Sequence, residues 1–82
     1  MAILRGGILL YREEAIGFVN GINTTFISSF AFVPGTLIVL LNGIEQISIV
    51  DYIEMDEHTI EFANPPIGGE NPDKVVFRYQ RG

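Results

Sequence analysis

The chain has 82 residues, a formal net charge of -5, no cysteine and one histidine. A chain of this length forms one domain, which buries only about 60–65% of the surface that its unfolded form exposes. Because the composition excludes disulfides and a Cys/His zinc site, oligomerisation is the remaining common way to stabilise so small a core.

Charge and composition also bear on the kind of partner. The negative net charge argues against nucleic acid, because phosphate binding needs clustered basic residues. The apolar fraction of 48% is high for a small domain, so we expect some apolar surface to contact another protein. The basic residues are scattered along the chain: Arg5, Arg12, Lys74, Arg78 and Arg81.

The long uncharged segment from Ala15 to Ile44 lacks the pattern of a membrane span. Polar residues and the Pro34-Gly35 pair interrupt it, whereas a spanning helix needs about twenty predominantly apolar residues. The first fifteen residues, MAILRGGILLYREEA, also lack the pattern of a secretory signal. We therefore expect a protein made in the cytoplasm that makes no membrane contact.

Short runs of β-branched and aromatic residues, separated by Gly, Pro, Asn and Asp, predict an all-β protein. We expect residues 1–13 to form an N-terminal arm or edge strand, and residues 14–82 to form a single β domain. Within the first part, the pair Gly6-Gly7 would be the joint of the arm. The next predicted strand runs from Thr24 to Phe32.

Three dipeptides are predicted to define turns. Asn20-Gly21 is the first turn pair, and Pro34-Gly35 follows, with Pro fixing φ at one central position and Gly tolerating a positive φ at the next. Asn42-Gly43 suits a type I′ turn, because both central residues need φ > 0. That turn predicts a hairpin that pairs Thr36 to Leu41 with Ile44 to Ile47.

A second hairpin is predicted between Asp51 to Met55 and Thr59 to Phe62. The proline-rich and glycine-rich segment at residues 63–73 is predicted to be a long exposed loop. The chain then closes with a strand from Lys74 to Tyr79. About six short strands predict a small antiparallel β-sandwich or open barrel. On the last strand, the predicted inward residues are Val75, Phe77 and Tyr79, and the outward ones are Val76 and Arg78.

The strand at Thr36 to Leu41 is apolar on both faces. Leu37, Val39 and Leu41 point one way, while Ile38 and Leu40 point the other. One face belongs to the core. The other face would be covered either by the N-terminal arm or by a neighbouring subunit.

Few residues suggest chemistry. His58 lies in a predicted hairpin turn beside Asp56 and Glu57, where a solvated polar residue is the simplest interpretation. The acidic group Glu54, Asp56 and Glu57 lacks the calcium-loop pattern. No catalytic residue, metal ligand or cofactor site is predicted, although a hydrolase with carboxylates brought together by the fold stays open.

Four segments in order, FVNGINTTF, PGTLIVLLNGIEQ, DYIEMDEHTIEF and PPIGGENPDKVVFRY, resemble a small β-module recurrent in structural proteins of tailed bacteriophages. The resemblance covers nearly the whole chain after about Glu14. Within it, Asp51 can accept backbone hydrogen bonds where the chain re-enters a strand. Two departures are the apolar segment IEQISIV before Asp51 and the spacing that places Asp73 four residues beyond Gly69.

The resemblance implies a virion component without catalytic activity, in the capsid, neck, tail or fibre. Its partners would be copies of itself, with a trimer as the expected oligomer, and a major capsid or tail protein. The alternative is a module that recognises a glycan or protein on the host surface, using Tyr11, Tyr52 or Tyr79. The expected interface residues are Ile3, Leu4, Ile8, Leu9, Phe30, Phe32, Ile38 and Leu40.

Overall fold

The computed structural model describes residues 10–82. The chain is all-β, as predicted, and its strands form two antiparallel sheets that pack as a small β-sandwich. One sheet has four strands in the order β1-β7-β3-β4, and the other has three in the order β2-β6-β5. The strands are β1 (Tyr11–Glu14), β2 (Thr25–Ile27), β3 (Ile38–Leu41), β4 (Ile44–Glu45), β5 (Tyr52–Glu54), β6 (Thr59–Phe62) and β7 (Val75–Tyr79).

The core lies between the two sheets, where alternate residues of each strand meet. Phe26 and Phe62 pack edge to face within the three-stranded sheet, with 5.5 Å between ring centroids. Val39 and Phe77, register partners on β3 and β7, are fully buried from the other side. A single apolar cluster joins both sheets: Phe26, Phe32, Leu37, Val39, Tyr52, Ile60, Phe62, Val75, Phe77 and Tyr79.

Both predicted hairpins are present. Leu41 pairs with Ile44 across Asn42-Gly43, whose φ angles of 54° and 84° are those of a type I′ turn. The second hairpin pairs β5 with β6, and Ile60 and Phe62 are both buried, as predicted.

The turn at Pro34-Gly35 is also confirmed. The Thr36 N–H donates to the Val33 carbonyl at 3.0 Å, and Gly35 has a φ of +84°. Proline first and a positive-φ glycine second is the sequence that a type II turn requires.

Residues 11–13 lie in an edge strand, one of the two alternatives expected for residues 1–13, and the strand continues one residue past that division. Strand β1 spans Tyr11–Glu14 and forms the edge of the four-stranded sheet, paired with β7. Residues 11–13 therefore belong to the folded domain. Four expected interface residues lie outside the described residues: Ile3, Leu4, Ile8 and Leu9.

Two strand and loop predictions need correction, and one side chain that points outward as predicted is less exposed than that direction suggests. The strand expected from Thr24 to Phe32 is only Thr25–Ile27, because the following residues turn to place Phe32 in the core. The loop at residues 63–73 is exposed in part only, since Pro66 is fully buried. Val76 points away from the core cluster, as predicted. Its side chain is nevertheless only 6% exposed, and its register partners on the outer face are Glu14 and Leu40.

Candidate protein-interaction surface

Two of the polar residues that the sequence singled out, Asp56 and His58, take part in hydrogen bonds that hold the backbone. Asp56 Oδ1 accepts the His58 N–H at 2.8 Å, and the His58 carbonyl accepts the Ser28 N–H at 2.8 Å. The first of these bonds lowers the pKa of Asp56 below its usual value. Among residues 10–82, His, Asp and Glu form no cluster of three that could hold a metal ion. In the same part of the chain, there is no helix long and apolar enough to cross a membrane.

A polar network ties the edge strand β1 to the loop after β2. Tyr79 Oη donates to Glu13 Oε2 at 2.5 Å, and Ser29 donates to Glu13 through its hydroxyl (2.6 Å) and its backbone N–H (2.9 Å). Burial alone would raise the pKa of Glu13, but the bonds from Ser29 and Tyr79 outweigh it and lower that pKa. Burial, and then the bond to Glu13, raises the pKa of Tyr79 to about 12.

Phe30 and Phe32 have different environments. Phe32 is only 2% exposed and packs edge to face on Tyr79, so it is a core residue and not the interface residue that was expected. Phe30 is partly exposed, because the Arg81 guanidinium lies 3.7 Å from its ring centroid and the Tyr11 ring contacts its edge. One face of Phe30 is thus already occupied by its own chain.

The outer face of the three-stranded sheet is largely apolar. Register pairs place Thr25, Glu61 and Ile53 side by side on this face, and Ile27 beside Thr59. A β-bridge joins Ile16 to Ile27. Gly17 faces the core, because a Cβ at this position would meet the inward Phe26 ring at 2.6 Å. By alternation, the residues on either side of Gly17, Ile16 and Phe18, point outward. The exposed apolar residues of this face are Ile16, Phe18, Ile27, Ile53 and Met55.

A tight turn beside this face carries further apolar residues. Asp51 Oδ2 accepts the Ile47 N–H at 2.8 Å, so Asp51 accepts a backbone hydrogen bond just before β5, as expected. Ile49 has a φ of +74° and is 82% exposed. A β-branched residue in left-handed backbone is a genuine outlier, so the turn holds Ile49 towards solvent at a conformational cost.

A shallow depression of about 210 Å³ joins the turn to the sheet. Its lining includes Ile49 and Val50 of the turn, together with Ile53, Glu61 and Ala63. The volume is below the roughly 300–1,000 Å³ of typical small-molecule pockets. A surface of this shape suits contact with a protein better than enclosure of a ligand.

The outer face of the four-stranded sheet mixes charges with apolar side chains. Arg12, Arg78 and Ile38 are register partners across β1, β7 and β3. Both arginines are exposed, and Ile38 is half-buried beside them. The next row across the sheet consists of Glu14, Val76, Leu40 and Glu45.

Ile38 and Leu40 are therefore the expected interface residues that the structure places on an outer face. Leu37, just before β3, and Val39, between them on β3, are buried in the core as the alternation predicted. The sequence reasoning missed the outer face of the three-stranded sheet. The sequence did carry a signal for this face. Tyr52 and its register partner Phe62 belong to the core, so Ile53 and Met55, on the opposite side of the strand from Tyr52, had to point outward.

The aromatic residues considered for host recognition are largely withdrawn from solvent. Tyr52 and Tyr79 belong to the core cluster, and Tyr11 is half-buried, with the Arg81 guanidinium 5.5 Å from its ring centroid. Tyr52 Oη donates to the Leu37 carbonyl at 3.3 Å. No tyrosine side chain is therefore fully presented to a glycan.

The chain was compared with protein-family models, with curated proteins and with solved structures, and no significant match was found in any of the three comparisons.

Proposed function

We propose that this protein is a non-enzymatic structural subunit of a tailed-bacteriophage particle. It acts as an adhesive accessory protein of the capsid, neck or tail, and it binds copies of itself and a major structural protein. The phage context rests on the ordered motifs that resemble the bacteriophage β-module. The adhesive role rests on apolar side chains on the outer faces of both sheets: Ile53 and Met55 on the three-stranded sheet, and the half-buried Ile38 and Leu40 on the four-stranded sheet.

The surface chemistry supports adhesion. Large apolar side chains on this small domain lie on strand faces and a turn, where they satisfy no packing need of their own core. Examples are Ile53 and Met55 on the sheet and Ile49 on the turn. Contact with a flat protein surface would bury these residues together and gain the hydrophobic free energy that the small core lacks.

The first test replaces Ile38 and Leu40 together by Ser and measures the solution mass by light scattering across a concentration series. Both residues lie on an outer face, so we expect a folded chain with reduced association. Val39→Ser is the matched control on the same strand, because Val39 is fully buried and its replacement should unfold the domain. A double variant that unfolds like Val39→Ser would show that Ile38 and Leu40 act only in the core.

The second test concerns the particle. Particles purified from the phage that encodes the chain should contain it in a fixed number of copies relative to the major capsid or tail protein, as quantitative mass spectrometry would show. A chain that stays in the lysate supernatant, or a gene without phage structural genes beside it, would overturn the proposal.

A further inference from the structure

We propose that copies of this chain associate head to tail. The outer face of the four-stranded sheet, centred on Arg12 and Arg78, docks on the outer face of the three-stranded sheet, centred on Glu61, of the next copy. This inference rests on the proposed function only in taking a second copy as the partner.

Charge is segregated along the chain and therefore in the fold. The sequence has no lysine or arginine between Glu13 and Asp73, the stretch that contains all of β2 to β6. The basic residues within residues 10–82 lie on β1, on β7 or beside β7. The strands of the three-stranded sheet carry Glu54 and Glu61 and no basic residue. The four-stranded sheet carries Arg12 and Arg78 together with Glu13, Glu14 and Glu45. The acidic residues from β5 to the loop after β6 are Glu54, Asp56, Glu57, Glu61, Glu70 and Asp73.

The two faces offer matching contact chemistry. Glu61 is exposed, and its register partners on the face are Thr25 and Ile53. Arg78 is exposed, and its register partners are Arg12 and Ile38. When the faces meet, a carboxylate beside an isoleucine opposes a guanidinium beside an isoleucine. Apolar contact supplies affinity and the ion pair sets the register.

The charges disfavour one of the symmetric pairings. Two copies of the three-stranded sheet face to face would bring their Glu61 carboxylates together, and no strand of that sheet carries a basic residue. The four-stranded face carries both signs, with Arg12 and Arg78 in one row and Glu14 and Glu45 in the next. Among the strands, the arginines that can oppose Glu61 therefore lie only on the four-stranded face, which favours contact between unlike faces.

A contact between unlike faces has an architectural consequence. After each contact, the copies at the two ends of the assembly still have one unused face, so further copies can add. The assembly closes into a ring if the rotation between copies allows it, and otherwise grows as an open filament. A closed trimer is one such ring. The geometry differs from that of a twofold dimer, in which both copies use the same face.

The test exchanges the charges one face at a time. Glu61→Arg and Arg78→Glu are each expected to weaken self-association by about tenfold or more, measured as the dissociation constant from light scattering or sedimentation at low salt. The double variant Glu61→Arg/Arg78→Glu restores the opposite charges and should recover association. The matched control is Glu70→Arg, which makes the same charge change as Glu61→Arg at an exposed position in the loop after β6. Circular dichroism and thermal unfolding confirm that every variant is folded.

The outcomes discriminate between arrangements. If only Glu61→Arg alters association, then copies pair through like three-stranded sheets and the head-to-tail proposal is wrong. An effect of Arg78→Glu alone would identify pairing through the four-stranded sheet, again against the proposal. A wild-type chain that remains monomeric at high concentration and low salt also overturns it. Binding of that monomer to the particle would still support its proposed role as a structural subunit that contacts a major structural protein, so the two failures are distinguishable.

Discussion

At the scale of single residues, Ile49 is the clearest conflict between local preference and observed conformation. Its φ of +74° lies where asparagine and glycine are favoured and β-branched residues are not. Because the Ile49 side chain is 82% exposed, its burial offsets little of the cost of this backbone conformation. Strain of this kind at an exposed apolar residue is consistent with a side chain kept for contact with a partner.

We therefore expect Ile49→Asn to raise the free energy of unfolding by about 1 kcal/mol, because asparagine tolerates left-handed backbone. Ile49→Val keeps the β-branch and should give no such gain. Urea unfolding of the three proteins measures the effect. A less stable Ile49→Asn variant would mean that the isoleucine side chain contributes packing that outweighs its backbone strain.

Glu13 links stability to pH. Its pKa is lower in the folded chain than the ordinary value of 4.5, so the folded state binds this proton less tightly than the unfolded state does. Its contribution to stability is therefore complete above the unfolded pKa and is lost as pH falls through the lower, folded pKa. The pKa values of Asp56 and Asp73 are lowered as well, so all three carboxylates make the chain less stable in acid.

Glu13→Gln should lower the free energy of unfolding by about 1 kcal/mol near pH 7, since it loses charge-assisted bonds from Ser29 and Tyr79 at a partly solvated site. The same variant should lose less stability than the wild type between about pH 5 and pH 3. Urea unfolding at several pH values measures both effects. Glu70→Gln, at an exposed loop position, is the control. An unchanged acid dependence in Glu13→Gln would show that Asp56, Asp73 or other groups account for it.

At the scale of elements, the β3–β4 turn does more than reverse the chain. Asn42 Oδ1 accepts the Lys74 N–H at 2.8 Å, and Asn42 Nδ2 donates to Asp73 Oδ1 at 2.7 Å. Asp73 Oδ2 in turn accepts the Ile67 N–H at 2.8 Å. The turn thereby fixes the end of the long loop at the start of β7, which is the central partner of both β1 and β3.

Asn42→Ala removes both side-chain bonds and places alanine at a φ of 54°, so we expect it to lower the free energy of unfolding by about 2 kcal/mol. Asn42→Gly also removes the bonds but suits the backbone, and it should cost about half as much. Thermal or urea unfolding separates the two contributions. Equal losses in both variants would mean that the positive φ contributes little and the bonds dominate.

At the scale of the whole molecule, the two sheets share one core and should unfold together. Tyr52 belongs to the three-stranded sheet and Tyr79 to the four-stranded sheet, yet both lie in the same apolar cluster. Neither sheet can keep its inner face dry without the other. Cooperative two-state unfolding is the expected behaviour of a single domain of this size.

The tyrosines make this testable, since the chain has three of them and no tryptophan. Tyr52 should be followed by fluorescence in a variant with Tyr11 and Tyr79 replaced by Phe, and Tyr79 in a variant with Tyr11 and Tyr52 replaced by Phe. In each variant, the fluorescence transition should coincide with that measured by circular dichroism. Separated transitions within one variant would show that one sheet unfolds before the other.

The sequence by itself determined the all-β class, the turns and the hairpins. The turns depend on local backbone preference, as at Asn42-Gly43 and Pro34-Gly35. The inward direction of Ile60 and Phe62 depends on the two-residue period of a strand. Neighbouring residues set both features without the rest of the fold. Asp51 likewise accepts a backbone hydrogen bond only four residues away. Such features could be predicted because each depends on a few consecutive residues.

Only the tertiary structure decided which strands are neighbours and what covers each face. Alternation shows that a strand has two faces, but it does not say which partner packs against either of them. For that reason Phe32 proved to be core, and the apolar face formed by Ile27, Ile53 and Met55 went unnoticed, since its members come from strands far apart in the chain. The pairing of Arg12 with Arg78 opposite a sheet that carries carboxylates likewise arises only when β1 and β7, at the two ends of the described chain, lie side by side.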